Sequence, residues 1–157
     1  MNFDTIGKRM ARRAFFSFHF QNDIFRANVV RNSWVTRDRE AAGFFDASLW
    51  EEAQTRGDSA IRALIDEGLK NTSVTVVLIG RETASRSYVK YEIEQSIARG
   101  NGLLGIRIEK IKDIRGNVDE AGPNPLPNEY PVYLWNKDDG YTNLGTWIER
   151  AARAAGK

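Results

Sequence analysis

The segment Val74–Ile79 constrains the fold of this chain more than any other feature of the sequence. It is an apolar run rich in β-branched residues, which is typical of a central parallel strand covered on both faces. Short apolar runs at residues 14–18, 43–45, 103–108 and 132–135 predict further strands. Because helical patterns separate these runs along most of the chain, we predict an α/β fold with a mainly parallel sheet.

The helices are marked by their caps and by apolar spacing. Asn22 or Asp23 is expected to cap the first helix, and Ser85 is expected to cap a helix that ends at Gly100. Residues 46–50 are expected to lead into a polar loop. Apolar residues recur at helical spacing in two further segments, 61–69 and 144–155.

The number and order of the strands predict a particular architecture. Five strands interleaved with helices suggest a flavodoxin-like, three-layer sandwich with strand order 2-1-3-4-5. The 157 residues correspond to a single domain over residues 1–157, with a core from about residue 14 to 155. Residues 110–130 are rich in glycine and proline, and we expect a long ordered loop or a degenerate helix there.

Composition excludes several classes of function. The chain has no cysteine, which excludes disulfides, thiolate nucleophiles and cysteine-ligated zinc, and its single histidine, His19, leaves no metal site to predict. The 23 basic and 21 acidic residues give a net charge of +2, which provides no strong basic field for nucleic acid. No apolar run is long enough to cross a bilayer or to serve as a signal peptide, so we expect a cytoplasmic protein.

The motif G-x-G-x-x-G occurs at residues 100–105, but in the wrong structural context. A dinucleotide fingerprint requires a strand before the glycines and a helix after them. Here a predicted helix precedes the glycines and a predicted strand follows them. The motif therefore indicates a helix end and a turn.

The predicted topology itself locates a candidate site. In open parallel sheets, ligands bind beyond the carboxyl ends of the strands, where the strand order reverses. In this chain that point lies between the first and third strands, which are followed by residues 17–20 and 80–83. The loop at residues 46–50 and the start of the third helix are expected to border the same crevice.

Glu92 interrupts the apolar face of the third predicted helix. Val89, Ile93 and Ile97 form the apolar stripe. Helical spacing predicts another apolar residue three positions after Val89, but Glu92 stands there. Glu94, in contrast, is expected to project into water. A partly desolvated carboxylate suits acid–base chemistry or stabilisation of a developing cation. The alternative is a helix-edge glutamate paired with an arginine or lysine.

Other residues near the predicted crevice have two interpretations each. His19 could contact a phosphate or a ribose, or it could be a capped loop residue. Asp46 and Ser48 could bind a ligand, or they could form a turn, which both residue types favour. Trp50 could stack on a base, or it could cover the edge of the sheet.

Several short segments of the chain match one family, in the right order and over about residues 14–135. They are AFFSFH at 14–19, ND at 22–23, FDASLW at 45–50, TVVLIG at 75–80, TASR at 83–86, YVKYEI at 88–93 and GNGLLGI at 100–106. Together these segments resemble TIR-like domains, and in particular the bacterial TIR-like group of the Thoeris anti-phage system.

The resemblance implies a flavodoxin-like TIR fold that uses NAD. In catalytic TIR domains a glutamate on the helix after the third strand acts at the nicotinamide ribose, and that position corresponds to Glu92. Tyr88 and Val89 stand where the family usually has tryptophan and often has cysteine, and these departures affect the shape of the pocket. We expect Glu92 to be catalytic and five residues to line the NAD crevice: Phe18, His19, Asp46, Ser48 and Tyr88.

The resemblance also implies a function and partners. Thoeris members cleave NAD to nicotinamide and an ADP-ribose-derived, often cyclic, signal for a separate effector protein. NAD would be consumed as the substrate, so no cofactor is expected. The other expected partners are a phage-derived trigger and further copies of the chain, but not nucleic acid or a membrane.

Two other functions compete with NAD cleavage. A TIR-like domain could act as a non-catalytic scaffold or sensor through protein assembly. The other alternative is a flavodoxin-like binder of FMN or a phosphoacceptor receiver. A receiver is disfavoured, because the third strand is followed by Gly80 and Arg81 and not by an aspartate.

Overall fold

A computed structural model describes residues 12–35, 39–45 and 47–157, with the backbone alone at residues 47 and 48. The strands are Ala14–Ser17 (β1), Ala41–Ala42 (β2), Val74–Ile79 (β3), Gly102–Arg107 (β4) and Val132–Leu134 (β5). The helices are Phe20–Val35 (α1), Ala47–Arg56 (α2), Asp58–Leu69 (α3), Ser87–Ala98 (α4) and Gly140–Ala154 (α5), and a 3-10 turn at Thr83–Ser85 precedes α4.

The strands form one sheet in the order β2-β1-β3-β4-β5. All four pairings are parallel, with β3 between β1 and β4. The predicted flavodoxin-like α/β architecture and its strand order 2-1-3-4-5 are therefore confirmed. The reversal of strand order falls between β1 and β3, as the sequence predicts.

Helices cover both faces of the sheet because successive strand residues point to opposite sides. Val76 and Leu78 of β3 pack in one core with residues of α1 and α5. Val77 and Ile79 point the other way and pack against α4. Phe15 of β1 packs on the same side with residues of α2 and α3. The result is a three-layer arrangement in which β3 is completely buried.

The second strand was predicted at residues 43–45, and this prediction is wrong, because β2 is Ala41–Ala42. Gly43 leaves the extended conformation with a φ of +91°, and a Cβ atom there would lie 2.2 Å from the carbonyl oxygen of Phe16. Phe44 then packs on Phe16, with ring centroids 5.5 Å apart. Phe45 packs on the opposite face, 6.3 Å from the ring of Phe15. The apolar run reflects this packing and not strand pairing.

The boundaries of three helices also differ from the prediction. Residues 47–56 form α2 where a polar loop was expected, and in this helix only Trp50 and Ala53 are buried apolar residues among those described. The helix α1 begins at Phe20, before either predicted cap. The predicted cap of α4, Ser85, lies in the 3-10 turn, and α4 begins two residues later. Gly100, with a φ of +75°, follows the end of α4 as predicted.

Residues 110–130 form the long loop that was one of the two predicted alternatives. Arg26 of α1 holds this loop, because its guanidinium donates hydrogen bonds to the carbonyl oxygens of Ile111 (2.7 Å) and Asn117 (3.0 Å). Leu126 anchors the other end in the core beside Val77. In the part of the chain that the structure describes, no helix is long and apolar enough to span a membrane.

Candidate active site

Glu92 lies on α4 beside the carboxyl end of β1. It is 5% exposed, and its Oε1 atom accepts a hydrogen bond of 2.7 Å from the hydroxyl of Ser17, the last residue of β1. Glu94 on the same helix is exposed. The predicted placement of these two side chains is confirmed, and the catalytic role of Glu92 stays a prediction.

Burial dominates the electrostatics of Glu92. It raises the pKa of Glu92 from its ordinary value of 4.5 to about 8, although the hydrogen bond from Ser17 and the positive charge of Arg86 both act in the opposite direction. The carboxyl group is therefore mostly protonated at neutral pH in this closed arrangement. Among the described residues no ion pair involves Glu92, so it is not the paired helix-edge glutamate of the alternative interpretation.

Glu92 faces a small cavity of about 20 Å³ at the carboxyl ends of the strands. Arg86 is the other charged residue in its wall. Such a volume has room for about one water molecule, whereas ligand sites usually enclose several hundred Å³. A dinucleotide can enter this crevice only when wall side chains move. Most of the wall is aromatic: Phe16, Phe18, Phe20, Phe45, Trp50 and Tyr88.

Trp50 closes the cavity from the side of α2. Its ring stacks on Phe45 at a centroid distance of 5.7 Å and on Phe20 at 6.5 Å, and it meets Tyr88 edge-on at 5.9 Å. The guanidinium carbon of Arg86 lies 5.8 Å from the centroid of the same ring. Trp50 is 6% exposed, and its Nε1 atom has no hydrogen-bond partner among the described residues. Trp50 thus covers the cavity beside Glu92.

The structure brings some of the predicted substrate-binding residues together and leaves others apart. Phe18 and Tyr88 line the same cavity as Glu92, but His19 is not part of its wall. Asp46 lies outside the described residues, and the side chain of Ser48 is not described. Substrate contacts by these residues remain predictions.

His19 serves as the cap of α1. Its Nδ1 atom accepts a hydrogen bond of 3.1 Å from the backbone N–H of Asn22, and its Nε2 atom lies 3.7 Å from the carboxylate of Glu82. Burial lowers the pKa of His19, and the charge of Arg86 acts in the same direction while Glu82 opposes both. The ring can therefore accept the helix N–H as a neutral imidazole, which explains why α1 starts before Asn22.

Sequence reasoning missed Arg86 and did not foresee that Trp50 closes the crevice. An arginine beside a predicted helix cap has the pattern of a solvated residue. The signal that could have identified Arg86 is its position directly before the helix that carries Glu92, at the sheet edge where the crevice was expected.

A second buried carboxylate, Asp23, lies on α1 and has a structural explanation. Burial raises its pKa to about 6, while a hydrogen bond from Asn22 and the charge of Arg26 act to lower it. Its Oδ2 atom has no hydrogen-bond partner among the described residues, and a Cβ atom at Gly80 would lie 2.2 Å from it. The carboxyl group thus packs directly against the backbone after β3.

In the described ranges no cluster of three or more acidic or histidine residues could hold a metal ion.

The parallel sheet of order 2-1-3-4-5, with a buried glutamate on the helix after β3, defines a flavodoxin-like α/β domain with an acidic group at the carboxyl edge of its sheet. The family model for "Thoeris protein ThsB, TIR-like domain" matches residues 15–113, and the chain belongs to this family. The chain is also similar to a Bacillus cereus (strain MSX-D12) protein named "Putative cyclic ADP-D-ribose synthase ThsB1". The two are 51% identical over 140 residues, which cover 88% of this chain and 72% of that protein.

Proposed function

We propose that this chain cleaves NAD and converts it to nicotinamide and an ADP-ribose-derived, cyclic signalling nucleotide in anti-phage defence. Membership of the Thoeris ThsB family and the name of the Bacillus cereus relative support this proposal. The structural observation that carries it is the buried carboxyl group of Glu92. This group faces an aromatic cavity at the edge of the sheet where the strand order reverses.

The proposed reaction breaks the bond between C1′ of the ribose and the ring nitrogen of nicotinamide. The bonding electron pair leaves with nicotinamide, which becomes neutral, and positive charge develops on the sugar. A carboxylate close to the sugar stabilises this oxocarbenium-like charge, as in glycoside cleavage. Because the leaving group departs as a neutral molecule, a single carboxylate suffices and no general acid is required.

The protonation of Glu92 is coupled to substrate binding in this proposal. In the closed cavity desolvation keeps the carboxyl group protonated, since its pKa is about 8. NAD brings the cationic nicotinamide ring next to Glu92, and this nearby positive charge favours the ionised form, so that Glu92 releases its proton to solvent when the substrate binds. The hydroxyl of Ser17 donates to Oε1 in the closed cavity and would hold the carboxylate in place beside the sugar.

The aromatic wall bears on which product forms. If water attacks C1′, the product is linear ADP-ribose, and if a group of the same molecule attacks, the product is cyclic. Phe18, Phe20 and Trp50 line the cavity beside Glu92, and these apolar side chains would exclude water from the reacting carbon if they repack around the bound dinucleotide. We therefore favour the intramolecular attack and a cyclic product.

The remaining partners belong to the proposed pathway. A separate effector protein would sense the nucleotide, a phage-derived trigger would activate the enzyme, and copies of the chain would self-associate. The reaction would take place in the cytoplasm.

Chromatography of nucleotides from cells that carry the protein, with and without phage, tests the function. The wild type should consume NAD and accumulate a cyclic product. Glu92→Gln should lower turnover by at least about 10²-fold, because it removes the charge that stabilises the transition state. Glu94→Gln is the matched control on the exposed face of α4 and should act like the wild type.

Two outcomes would contradict the proposal. Unchanged NAD consumption by a folded Glu92→Gln protein would remove Glu92 from catalysis. A wild-type protein that leaves NAD intact under every activating condition would favour the scaffold or sensor function.

A further inference from the structure

We propose that Arg86 binds the diphosphate of the dinucleotide substrate, and that the substrate phosphates replace Trp50 as the partner of the Arg86 side chain. This inference rests on the proposed function. It concerns a residue that the arguments for NAD cleavage do not use.

The backbone of Arg86 is fixed at the mouth of the cavity. Its N–H donates a hydrogen bond of 3.2 Å to the carbonyl oxygen of Thr83, and its own carbonyl oxygen accepts one of 3.3 Å from the N–H of Lys90. The residue directly precedes α4 and lines the same cavity as Glu92. The side chain can therefore change partners without movement of the helix that carries Glu92.

The guanidinium of Arg86 has no anionic partner in the described ranges, where no ion pair includes it. It lies over the Trp50 ring instead. The other arginines at this edge of the sheet differ in this respect. Arg81 lies 3.7 Å from Asp119, and Arg26 lies 4.0 Å from both Asp113 and Asp119.

The position of Arg86 fits the covalent structure of the substrate. The diphosphate is joined to the 5′ oxygen of the same ribose whose C1′ carries nicotinamide, so one sugar separates the cleaved bond from the phosphates. With Glu92 at C1′, the phosphate-binding group must lie about one sugar's length from that carboxylate. Arg86 is placed for this role, because it and Glu92 line the same small cavity.

The exchange of partners also provides a way for the substrate to open the crevice. A guanidinium binds phosphate through paired, charge-assisted hydrogen bonds, which are stronger than its contact with the face of an aromatic ring. When Arg86 turns to the phosphates, Trp50 loses one of the contacts that hold it over the cavity. The substrate thereby weakens the closure that excludes it from the unliganded site.

Calorimetric titration of NAD into the Glu92→Gln protein separates binding from cleavage. Adding Arg86→Ala to that protein should weaken NAD binding by about tenfold or more, the effect of one lost charge-assisted hydrogen bond. Arg86→Gln keeps the length of the side chain and should weaken binding to a similar extent. Lys90→Ala removes the same charge from the exposed face of the same helix and should leave binding unchanged.

Nicotinamide riboside, which carries no phosphate, provides the second readout in the protein with native Glu92. Arg86→Ala should lower kcat/KM for NAD by about tenfold, through KM, because phosphate binding is lost. It should lower kcat/KM for nicotinamide riboside much less, because only the effect of the Arg86 charge on Glu92 is lost there. A structural role of Arg86 would lower both values together.

The outcomes distinguish this inference from the proposed function. Equal losses on NAD and nicotinamide riboside, or no loss on NAD with either Arg86 variant, would overturn the role of Arg86 while NAD cleavage stands. If the wild type releases no nicotinamide from NAD, the proposed function fails and this inference fails with it.

Discussion

Two concave regions lie at opposite ends of the sheet, and they differ in both size and chemistry. The cavity at the carboxyl ends of the strands measures about 20 Å³ and contains the buried carboxyl group of Glu92. The groove at the other end measures about 360 Å³ and lies between the end of α4, the start of β4 and the last turns of α5. Its charged residues, Glu129 and Arg150, are both exposed.

If Glu92 acts as proposed, volume does not locate the chemistry of this molecule. A reactive carboxylate needs partial removal from water, a fixed orientation and a neighbouring charge. The small cavity supplies all three through its aromatic wall, Ser17 and Arg86. The groove supplies space beside apolar side chains such as Leu103 and Tyr133, but no buried carboxyl group among the residues described.

The largest expected contrast between the two regions is in turnover. Glu92→Gln should reduce NAD cleavage by at least about 10²-fold, whereas Ile97→Ser in the groove should leave the rate within about twofold. Nicotinamide release from purified, triggered protein measures both effects. A comparable loss with Ile97→Ser would show that the groove takes part in the reaction.

The next largest effect concerns the backbone beside the small cavity. Gly43 and Gly57 both have positive φ angles, but a Cβ atom at Gly43 would also meet the Phe16 carbonyl oxygen at 2.2 Å, whereas Gly57 has nothing within 4 Å. Gly43→Ala should lower the free energy of unfolding by about 2–3 kcal/mol and Gly57→Ala by about 1 kcal/mol. Urea denaturation measures the difference. Equal losses of unfolding free energy would mean that the backbone around Gly43 shifts to accept the new side chain at little cost.

A smaller effect follows from the raised pKa of Glu92. Its pKa is about 8 in the folded protein against 4.5 ordinarily, so the folded state holds this proton more tightly. That contribution to stability is complete below about pH 4.5 and is lost as the pH rises through about 8. Glu92→Gln removes the loss, so it should raise the Tm at pH 8.5 by several degrees.

The same Tm difference should shrink as the pH falls to 5, because wild-type Glu92 is then protonated and neutral like glutamine. Glu94→Gln on the exposed side of α4 is the control and should show no such dependence on pH. Thermal denaturation at several pH values checks both variants. A Tm difference that stays constant with pH would mean that Glu92 is already ionised in the closed cavity.

The smallest expected effect lies in the groove. Tyr133 stacks on Trp147 with ring centroids 4.2 Å apart, so Tyr133→Leu should cost about 0.5–1.5 kcal/mol of stability. It should leave the KM for NAD unchanged, because this contact belongs to the packing of α5 on β5. A changed KM would indicate that the two ends of the sheet are coupled.

The sequence predicts the central strands of the sheet better than it predicts α2 and the end of β2. Residues such as Val76 and Val77 are buried on opposite faces, so β3 and its neighbours have an apolar pattern that can be recognised without the structure. The helix α2 could not be recognised, because Trp50 and Ala53 alone give too short an apolar stripe. The end of β2 at Gly43 depends on a close approach to Phe16, which no local pattern encodes.

The same distinction applies to the site. Glu92 could be identified because it interrupts the periodic stripe of its own helix. The closure of the cavity could not, since it depends on contacts of Trp50 with Phe20, Tyr88 and Arg86, which come from other parts of the chain. Such contacts exist only in the folded arrangement.

The hydrogen bond between Ser17 and Glu92 has a consequence for the life of the protein in the cell. Its partners are 75 positions apart, and they meet only when β1 has paired with β3 and α4 has docked on both. If Glu92 acts as proposed, a half-synthesised or proteolysed chain holds the acidic residue without its assembled surroundings. Translation and turnover of the protein then leave the dinucleotide pool of the host intact.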